Sequence, residues 1–423
     1  MAKLSSQGLA ELERYVQEAG KTLPGAFVEV GTPDEVLLST RAGRLDMLDP
    51  DSKAPDEHTI YWFASTTKLL TSLAALQLIE QGILSLSTPM SKYFPHFATP
   101  IRILCSIDAE TGESVYEDSH EEITVATLLN QTSGFGMEFG PTVHAWKKWS
   151  NVGNGYTNSC KKENLWHVPP TEVAGKRFEY GNGSEWLGLL IQEATGLDLD
   201  EVLRRQIFAP LNMESTTFYP FAGDKLDRLF PLRWLQRNSD GSTEWQPFED
   251  QLDLLKLPRT REEIDYPVGG GGIYTAPRDY GTLLRHLLKC HLASSPSAPL
   301  KLSVASVHSL FAPSLPGTEL GHSGFNGFSH KFDATPAELD WSTGLCVFNY
   351  SNEAQRRIFS DDKAHGRSTG SAGWSGAPGI RFWMDPVREI SCVSGMNLLP
   401  GSDPAVDEFN DTVEKLLYKA LIE

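Results

Sequence analysis

Apolar residues fall at helical spacing in some stretches of the chain and at strand spacing in others. Leu4–Ala19 has the period of an amphipathic helix. Ala26–Val30 and Glu35–Thr40 alternate around Gly31-Thr32-Pro33-Asp34, which predicts a hairpin. Strand-like Thr59–Phe63 then leads to Ser65. Beyond it, Leu69, Leu70, Leu73, Leu76 and Ile79 recur at mostly three- and four-residue steps. That spacing predicts a strongly apolar, buried helix over 66–81; Thr66 and Thr67 suit its first turn and Gly82 its stop. Ile103–Ile107 and Ser114–Glu117 flank a second turn, again a hairpin signal. Helical patterns return at Glu185–Thr195, Leu199–Ile207, Asp279–Cys290 and Ala405–Leu421, and strand-like runs at Gly344–Asn349, Gly379–Met384 and Ile390–Ser394. From Asn130 to about Pro170 the chain reads as irregular and aromatic. Arg228–Arg261 is polar, with no period beyond strand-length pieces.

Strands therefore sit towards both chain ends, with helices between. The pattern predicts an α+β fold: one antiparallel sheet built from both ends, flanked by helices, with a helical region inserted in the middle. The sheet region spans about 1–64 and 265–423 and the mainly helical region about 65–264, within a single catalytic domain over 1–423. No internal repeat or low-complexity tract interrupts it.

Composition narrows the function. At 40% hydrophobic and 22% charged residues the chain is ordinary for a soluble globular protein. A net charge of −18 argues against nucleic acid or an anionic membrane as a partner of the general surface. The first residues lack the apolar core of a signal peptide, and no run has the length of a membrane span. The five cysteines are scattered, without a CxxC pair or a His/Cys cluster, so neither a disulfide framework nor a metal site is indicated. A reducing, cytoplasmic location fits best, and nothing points to a cofactor.

The candidate chemistry centres on Ser65 and Lys68. A serine hydroxyl is a weak nucleophile until a base takes its proton. Lysine serves as that base if burial lowers its pKa, which is the expectation for Lys68 in so apolar a helix. The helix N-terminus adds partial positive charge where an oxyanion would form. Ser-x-x-Lys also occurs at Ser159/Lys162 and Ser360/Lys363, but there in polar, loop-like sequence. Read alone, the motif at Ser65 is equally a helix cap with a lysine reaching for solvent.

Other segments carry weaker signals. Tyr180-Gly181-Asn182 is a turn that can aim a phenol and an amide into one cavity, or a purely structural turn. Pro267–Thr275 contains four consecutive glycines, which mark a close approach of backbone to something; no Lys-Ser/Thr follows, so it is not a phosphate loop. Gly370–Pro386 sets small residues around Trp374 ahead of an apolar strand, either a plain hairpin or an edge presenting a backbone N–H. The aromatic stretch holding Phe135, Trp146 and Trp149 is a substrate-pocket wall or a satellite cluster under a loop. Lys147, Lys148, Lys161 and Lys162 either attract an acidic acyl donor or are solvated surface. No GxSxG elbow precedes a helix, and no histidine stands in a Ser/His/Asp order, so a serine enzyme built from this chain needs another base.

Taken together the motifs are familiar. Ser65-Thr66-Thr67-Lys68, Leu128–Gly134 (LLNQTSG), Tyr180-Gly181-Asn182, Gly269–Ile273 (GGGGI) and Gly373–Ala377 (GWSGA) occur in the order seen in the serine β-lactamase-like superfamily. The chain resembles its class C and esterase branch and, within that, is similar to fungal acyltransferases of the statin type. The resemblance implies a β-lactamase/transpeptidase-like fold. It implies Ser65 as the acylated nucleophile, Lys68 and Tyr180 as the proton-shuttling pair, and the N–H groups of Ser65 and Ala377 as the oxyanion hole. Asn182 would orient Lys68 or the substrate, and Phe135, Trp146, Trp149, Gly271, Trp374 and Gly376 would contact it. The implied partners are a small-molecule alcohol or amine acceptor and an acyl donor, either an ester or a thioester on a carrier protein or coenzyme A. Trp374-Ser375-Gly376 stands where the lactamases have Lys or His before Thr-Gly, which argues against antibiotic hydrolysis. Esterase activity by the same acyl-enzyme is the alternative.

Overall fold

A seven-stranded antiparallel sheet joins the two ends of the chain. The computed structural model describes residues 2–150, 155–248, 257–332, 334–350 and 366–422. The sheet's strands are β1 (Phe27–Gly31), β2 (Val36–Arg41), β3 (Leu339–Trp341), β4 (Cys346–Phe348), β5 (Ser371–Gly376), β6 (Ile380–Asp385) and β7 (Ile390–Gly395). Their order is β3-β4-β5-β6-β7-β1-β2. The N-terminal hairpin attaches through β1 to β7, in the register Ser391↔Gly31 to Gly395↔Phe27. The longer helices are α1 (Ser6–Ala19), α2 (Thr67–Glu80), α3 (Gly183–Thr195), α4 (Pro277–Leu292) and α5 (Pro404–Ala420).

Strands β1, β6 and β7 are buried on both faces, although they carry polar residues, Glu29, Arg381, Ser391 and Ser394 among them. Val28, Val30, Trp383 and Cys392 pack with Leu12 and Val16 of α1 and Val406 and Phe409 of α5. Phe27, Phe382 and Val393 face the other way, into the main core with Tyr280, Leu283 and Leu284 of α4. The expected sheet from both chain ends with helices on its faces is therefore what forms.

The structure also refines the sequence reading. Helix α2 is buried as expected, and it is so all round from Thr67 to Leu78. Two of its polar side chains find partners inside: Thr71 Oγ1 donates to Gly269 O at 2.7 Å, and Gln77 Nε2 to Leu300 O at 2.6 Å. The span read as irregular contains a helix, Pro141–Ser150. The hairpin expected in the mainly helical middle forms, Ile101–Ile107 with Ser114–Ser119. Within Arg228–Arg261 a second hairpin forms, Arg233–Arg237 with Thr243–Pro247, extended by Leu398–Leu399; Ser360 and Lys363 lie outside the described residues.

One buried ion pair ties α5 to the sheet. Arg367 precedes β5, and its backbone N–H and Nε both donate to Glu414 of α5, at 3.1 and 3.0 Å. Its guanidinium stacks over Phe348 and Trp383. Removing one member leaves the other charged and unpaired. Glu414→Ala is therefore expected to lower stability by about 3–5 kcal/mol in urea unfolding, and Arg367→Met/Glu414→Leu to recover most of the loss. A loss below about 1 kcal/mol for Glu414→Ala would mean the pair is not what holds this corner.

Candidate active site

Ser65 sits at the joint between a strand and the buried helix. Tyr61–Ala64 pairs with Ile273–Thr275, with a register shift between Trp62 and Ala64. Ala64 then takes a left-handed turn at φ 46°. A non-glycine residue in that region costs roughly 1 kcal/mol, so the surroundings must hold it there. Thr67 does so: its Oγ1 donates to Ala64 O at 2.5 Å and accepts from Ile273 N at 3.0 Å. The turn leaves Ser65 half-buried while its neighbours on both sides are buried. Ser65 lines a cleft of about 560 Å³ that Lys68, Tyr180, Asn182, Trp374, Gly376 and Ala377 also line.

Lys68 is buried one turn into α2, and its Nζ donates to Gly270 O at 2.8 Å. That carbonyl explains the glycine run. Gly269 to Gly272 thread between α2 and α3, where a Cβ on Gly269 would meet Ser184 O at 2.6 Å and one on Gly270 the Glu185 carboxylate at 2.2 Å. Only bare backbone fits, and it offers its carbonyls to Lys68, Thr71 and Trp62.

The electrostatics correct the sequence expectation for Lys68. Burial by itself lowers its pKa, as expected. The Tyr180 phenol and the Glu185 and Glu138 carboxyls more than offset that, so the ammonium is held above the ordinary lysine range. Lys68 is thus a cation in the resting site. The ammonium lies 4.7 Å from the centroid of the Tyr180 ring. From another direction Trp374 Nε1 donates to the Tyr180 hydroxyl oxygen at 3.0 Å. Negative charge developing on that oxygen is met by an N–H and a cation.

The Tyr180 turn is fixed by backbone contact. A Cβ on Gly181 would lie 1.8 Å from Phe135 O, so the turn lies flat on that segment. Glu179 N donates to Gln131 O, and Gln131 Nε2 to Ser184 Oγ. The Leu128–Gly134 motif thus braces the tyrosine rather than touching substrate. Asn182 precedes α3 without capping it, because its amide donates to Glu138 Oε2 at 3.3 Å. Glu138 also accepts from Thr157 N and Oγ1 at 2.7 and 2.9 Å and lies 3.9 Å from Lys147 Nζ.

The sheet supplies the remaining wall. A Cβ on Gly376 would meet Phe63 O at 2.4 Å, so the end of β5 runs flush beside the strand that delivers Ser65. Ala377 follows in the β5–β6 turn, exposed to the cleft. The backbone N–H groups of Ser65 and Ala377 donate to no described protein group. Both are free to meet an oxyanion.

Several expected contacts lie elsewhere. Phe135 is buried against Phe97 and Trp186. Trp146 and Trp149 face the Ile101–Ser119 hairpin, donating to Tyr116 Oη and Ala109 O. Gly271 is behind the wall, its carbonyl taken by Trp62. Lys147 is buried, donating to Gly155 O and Asn164 O, and Lys161 pairs with Asp265, so neither is a free surface charge. Lys162 of the second Ser-x-x-Lys is exposed. The sequence reading missed Glu138 and Glu185, which are buried carboxyls lining the cleft. Glu185 was visible only as an acid opening a helix, and nothing in its spacing told of burial. Among the described residues no group of His, Cys, Asp and Glu is arranged to hold a metal, and no helix is long and apolar enough to cross a membrane.

Comparison with known proteins adds to this geometry. The sequence profile of the Beta-lactamase family matches residues 12–413. ML-236A carboxylate methylbutanoyltransferase of Penicillium citrinum is 27% identical over 410 residues, covering 94% of this chain and 91% of that protein. Lovastatin esterase of Penicillium rubens is 28% identical over 211 residues, 49% of this chain and 52% of that one. A mutant of simvastatin synthase from Aspergillus terreus superimposes with a TM-score of 0.80 at 24% identity, covering 98% of both chains.

Glu185 supplies a test of the buried charges. Burial pushes its carboxyl from the ordinary 4.5 up to about 7, against the pull of Lys68. The folded state then binds more protons than the unfolded one between those values. Stability from this group is full below 4.5 and falls as pH rises to about 7, by roughly 3 kcal/mol. The stability of Glu185→Gln relative to the parent should rise by about that much across this window and level off above it. Parallel curves in urea unfolding at pH 5 and 8 would contradict the assignment.

Proposed function

The chain belongs to the β-lactamase family, and from that premise we propose that it is a serine acyltransferase. It moves an acyl group from a thioester or ester donor, through an ester on Ser65, to an alcohol or amine of a small-molecule, secondary-metabolite acceptor. The observation that carries this reading is the convergence in one cleft of half-buried Ser65, the Lys68 ammonium against Tyr180, and two backbone N–H groups without a protein acceptor.

In the acylation step Ser65 Oγ attacks the donor carbonyl. In the reactive state Tyr180 is the phenolate beside the Lys68 ammonium, and the Ser65 proton passes to its oxygen, leaving the phenol; Lys68 and the Trp374 indole N–H face the charge that is being exchanged. The carbonyl oxygen becomes an oxyanion between the N–H groups of Ser65 and Ala377. Collapse expels the thiol or alcohol, which leaves with the proton held at Tyr180. In the second step the acceptor's hydroxyl or amine gives its proton to the same oxygen and attacks the Ser65 ester, and Ser65 regains a proton on release. Asn182, Trp374 and Gly376 shape the wall against which the acyl group and acceptor lie. Glu138 and Asn182 brace one another and keep the Tyr180 turn in register.

The methylbutanoyltransferase likeness, which runs over nearly the whole chain, supports transfer to an acceptor. Hydrolysis by the same acyl-enzyme is the second reading, favoured by the likeness to lovastatin esterase over about half of the chain. Which prevails depends on how well a bound acceptor excludes water from the Ser65 ester. The donor on this reading is a simple ester or a thioester of coenzyme A or a carrier protein.

Intact-protein mass spectrometry after mixing with p-nitrophenyl esters and acyl thioesters should show one acyl adduct, mapped by peptide analysis to Ser65. Ser65→Ala should show none. Lys68→Ala and Tyr180→Phe should slow acylation by roughly 10²–10⁴-fold. Transfer of the adduct to added alcohols in preference to water separates transferase from esterase. Acylation at the parent rate in Lys68→Ala or Tyr180→Phe would remove that residue from the mechanism.

A further inference from the structure

We propose that Lys331 is a specificity-determining residue that holds a carboxylate on the acyl acceptor, so that hydroxy acids are preferred over their neutral esters. The inference rests on reading the Ser65 cleft as the acyl-transfer site. The charged side chains lining that cleft are Lys68, Glu138, Glu185, Lys331, Arg381 and Asp407. Among the cations, Lys68 and Arg381 are answered by described residues and Lys331 is not. Lys68 faces Gly270 O, Tyr180 and Glu185. Glu138 has Lys147, Thr157 and Asn182. Arg381 pairs with Asp411 at 2.5 Å and with Asp407 at 3.4 Å. The Lys331 ammonium makes no ion pair or hydrogen bond with any described residue.

Its position is nevertheless built. Lys331 lies in the short turn Ser329–Phe332, and its N–H donates to Phe328 O at 3.0 Å. The Phe328 ring packs on Tyr180 at 5.1 Å and Trp374 at 5.9 Å, and the Phe332 ring on Trp374 at 5.5 Å. The turn is thus riveted beside the tyrosine that handles the acceptor's proton, and Lys331 is half-buried there. A half-buried lysine in the cleft lining with no counter-ion among the described residues favours an anionic ligand. In a protein of net charge −18, with Glu138 and Asp407 in the same lining, a singly charged carboxylate on an apolar body suits the site better than a multiply charged phosphate. Phe328 and Trp374 supply the surface for that apolar body.

The test compares Lys331→Gln and Lys331→Glu with the parent, using matched acceptors: a hydroxy acid and its methyl ester. The expected result is a KM for the hydroxy acid raised roughly ten-fold or more in Lys331→Gln, with kcat little changed. The methyl ester's KM and the p-nitrophenolate burst should not move, and Lys331→Glu should prefer the ester. Equal effects on acid and ester, or none on the acid, would overturn the proposal. So would an effect confined to acylation by a coenzyme A thioester and absent with the uncharged N-acetylcysteamine thioester, which would make the donor's phosphates the anion. Calorimetric binding of the acid to Ser65→Ala, with and without Lys331→Gln, reads the same preference without turnover. A missing burst in the parent with intact, Lys331-dependent acid binding would count against the acyl-transfer reading and not against Lys331.

Discussion

The structure depends on keeping one ammonium dry and charged. Lys68 is buried in a helix that touches no solvent over most of its length. An isolated cation there would be driven to its neutral form. Here a main-chain carbonyl, a phenol and two carboxyls surround it and reverse the direction of the shift. The four-glycine run exists to bring that carbonyl in, since any side chain at Gly269 or Gly270 would collide with α3. The same helices, the same glycines and the Tyr180 turn are therefore committed to one charge.

That commitment shapes the chemistry assigned to each residue. A lysine held as ammonium is a poor acceptor for the serine proton. It is a good electrostatic partner for the Tyr180 oxygen, the proposed acceptor, which also receives the indole N–H of Trp374. The cleft wall thus uses an aromatic donor, and its cation without a partner among the described residues, Lys331, lies on a neighbouring turn. The cost of the arrangement shows in two places: a non-glycine residue in the left-handed region at Ala64, and a Glu185 carboxyl oxygen with no hydrogen-bond partner.

Much of this was legible in the sequence where the signal was local. The hairpin at 27–41, the strand entering Ser65, the stop at Gly82 and the final helix follow from periodicity and turn residues, and Gly82 does adopt φ 71°. The glycine run announced a close approach but not what it approached. What failed was long-range. The partners of the polar residues on α2 could not be read locally, because Gly269, Gly270 and Leu300 lie 198, 202 and 223 positions along the chain from Thr71, Lys68 and Gln77. Trp146 and Trp149 read as pocket aromatics because nothing local says that the helix carrying them turns towards a hairpin. Glu138 and Glu185 were invisible for the same reason: a carboxyl's burial is decided by the elements packed on it.

The most direct measurement is the protonation state of Lys68 itself, read from the side-chain ¹⁵N resonance of lysine-labelled protein and assigned with Lys68→Arg. The account predicts an ammonium signal that persists from pH 6 to beyond the ordinary lysine range. A neutral amine at pH 7 would contradict it and would return the role of base to the lysine.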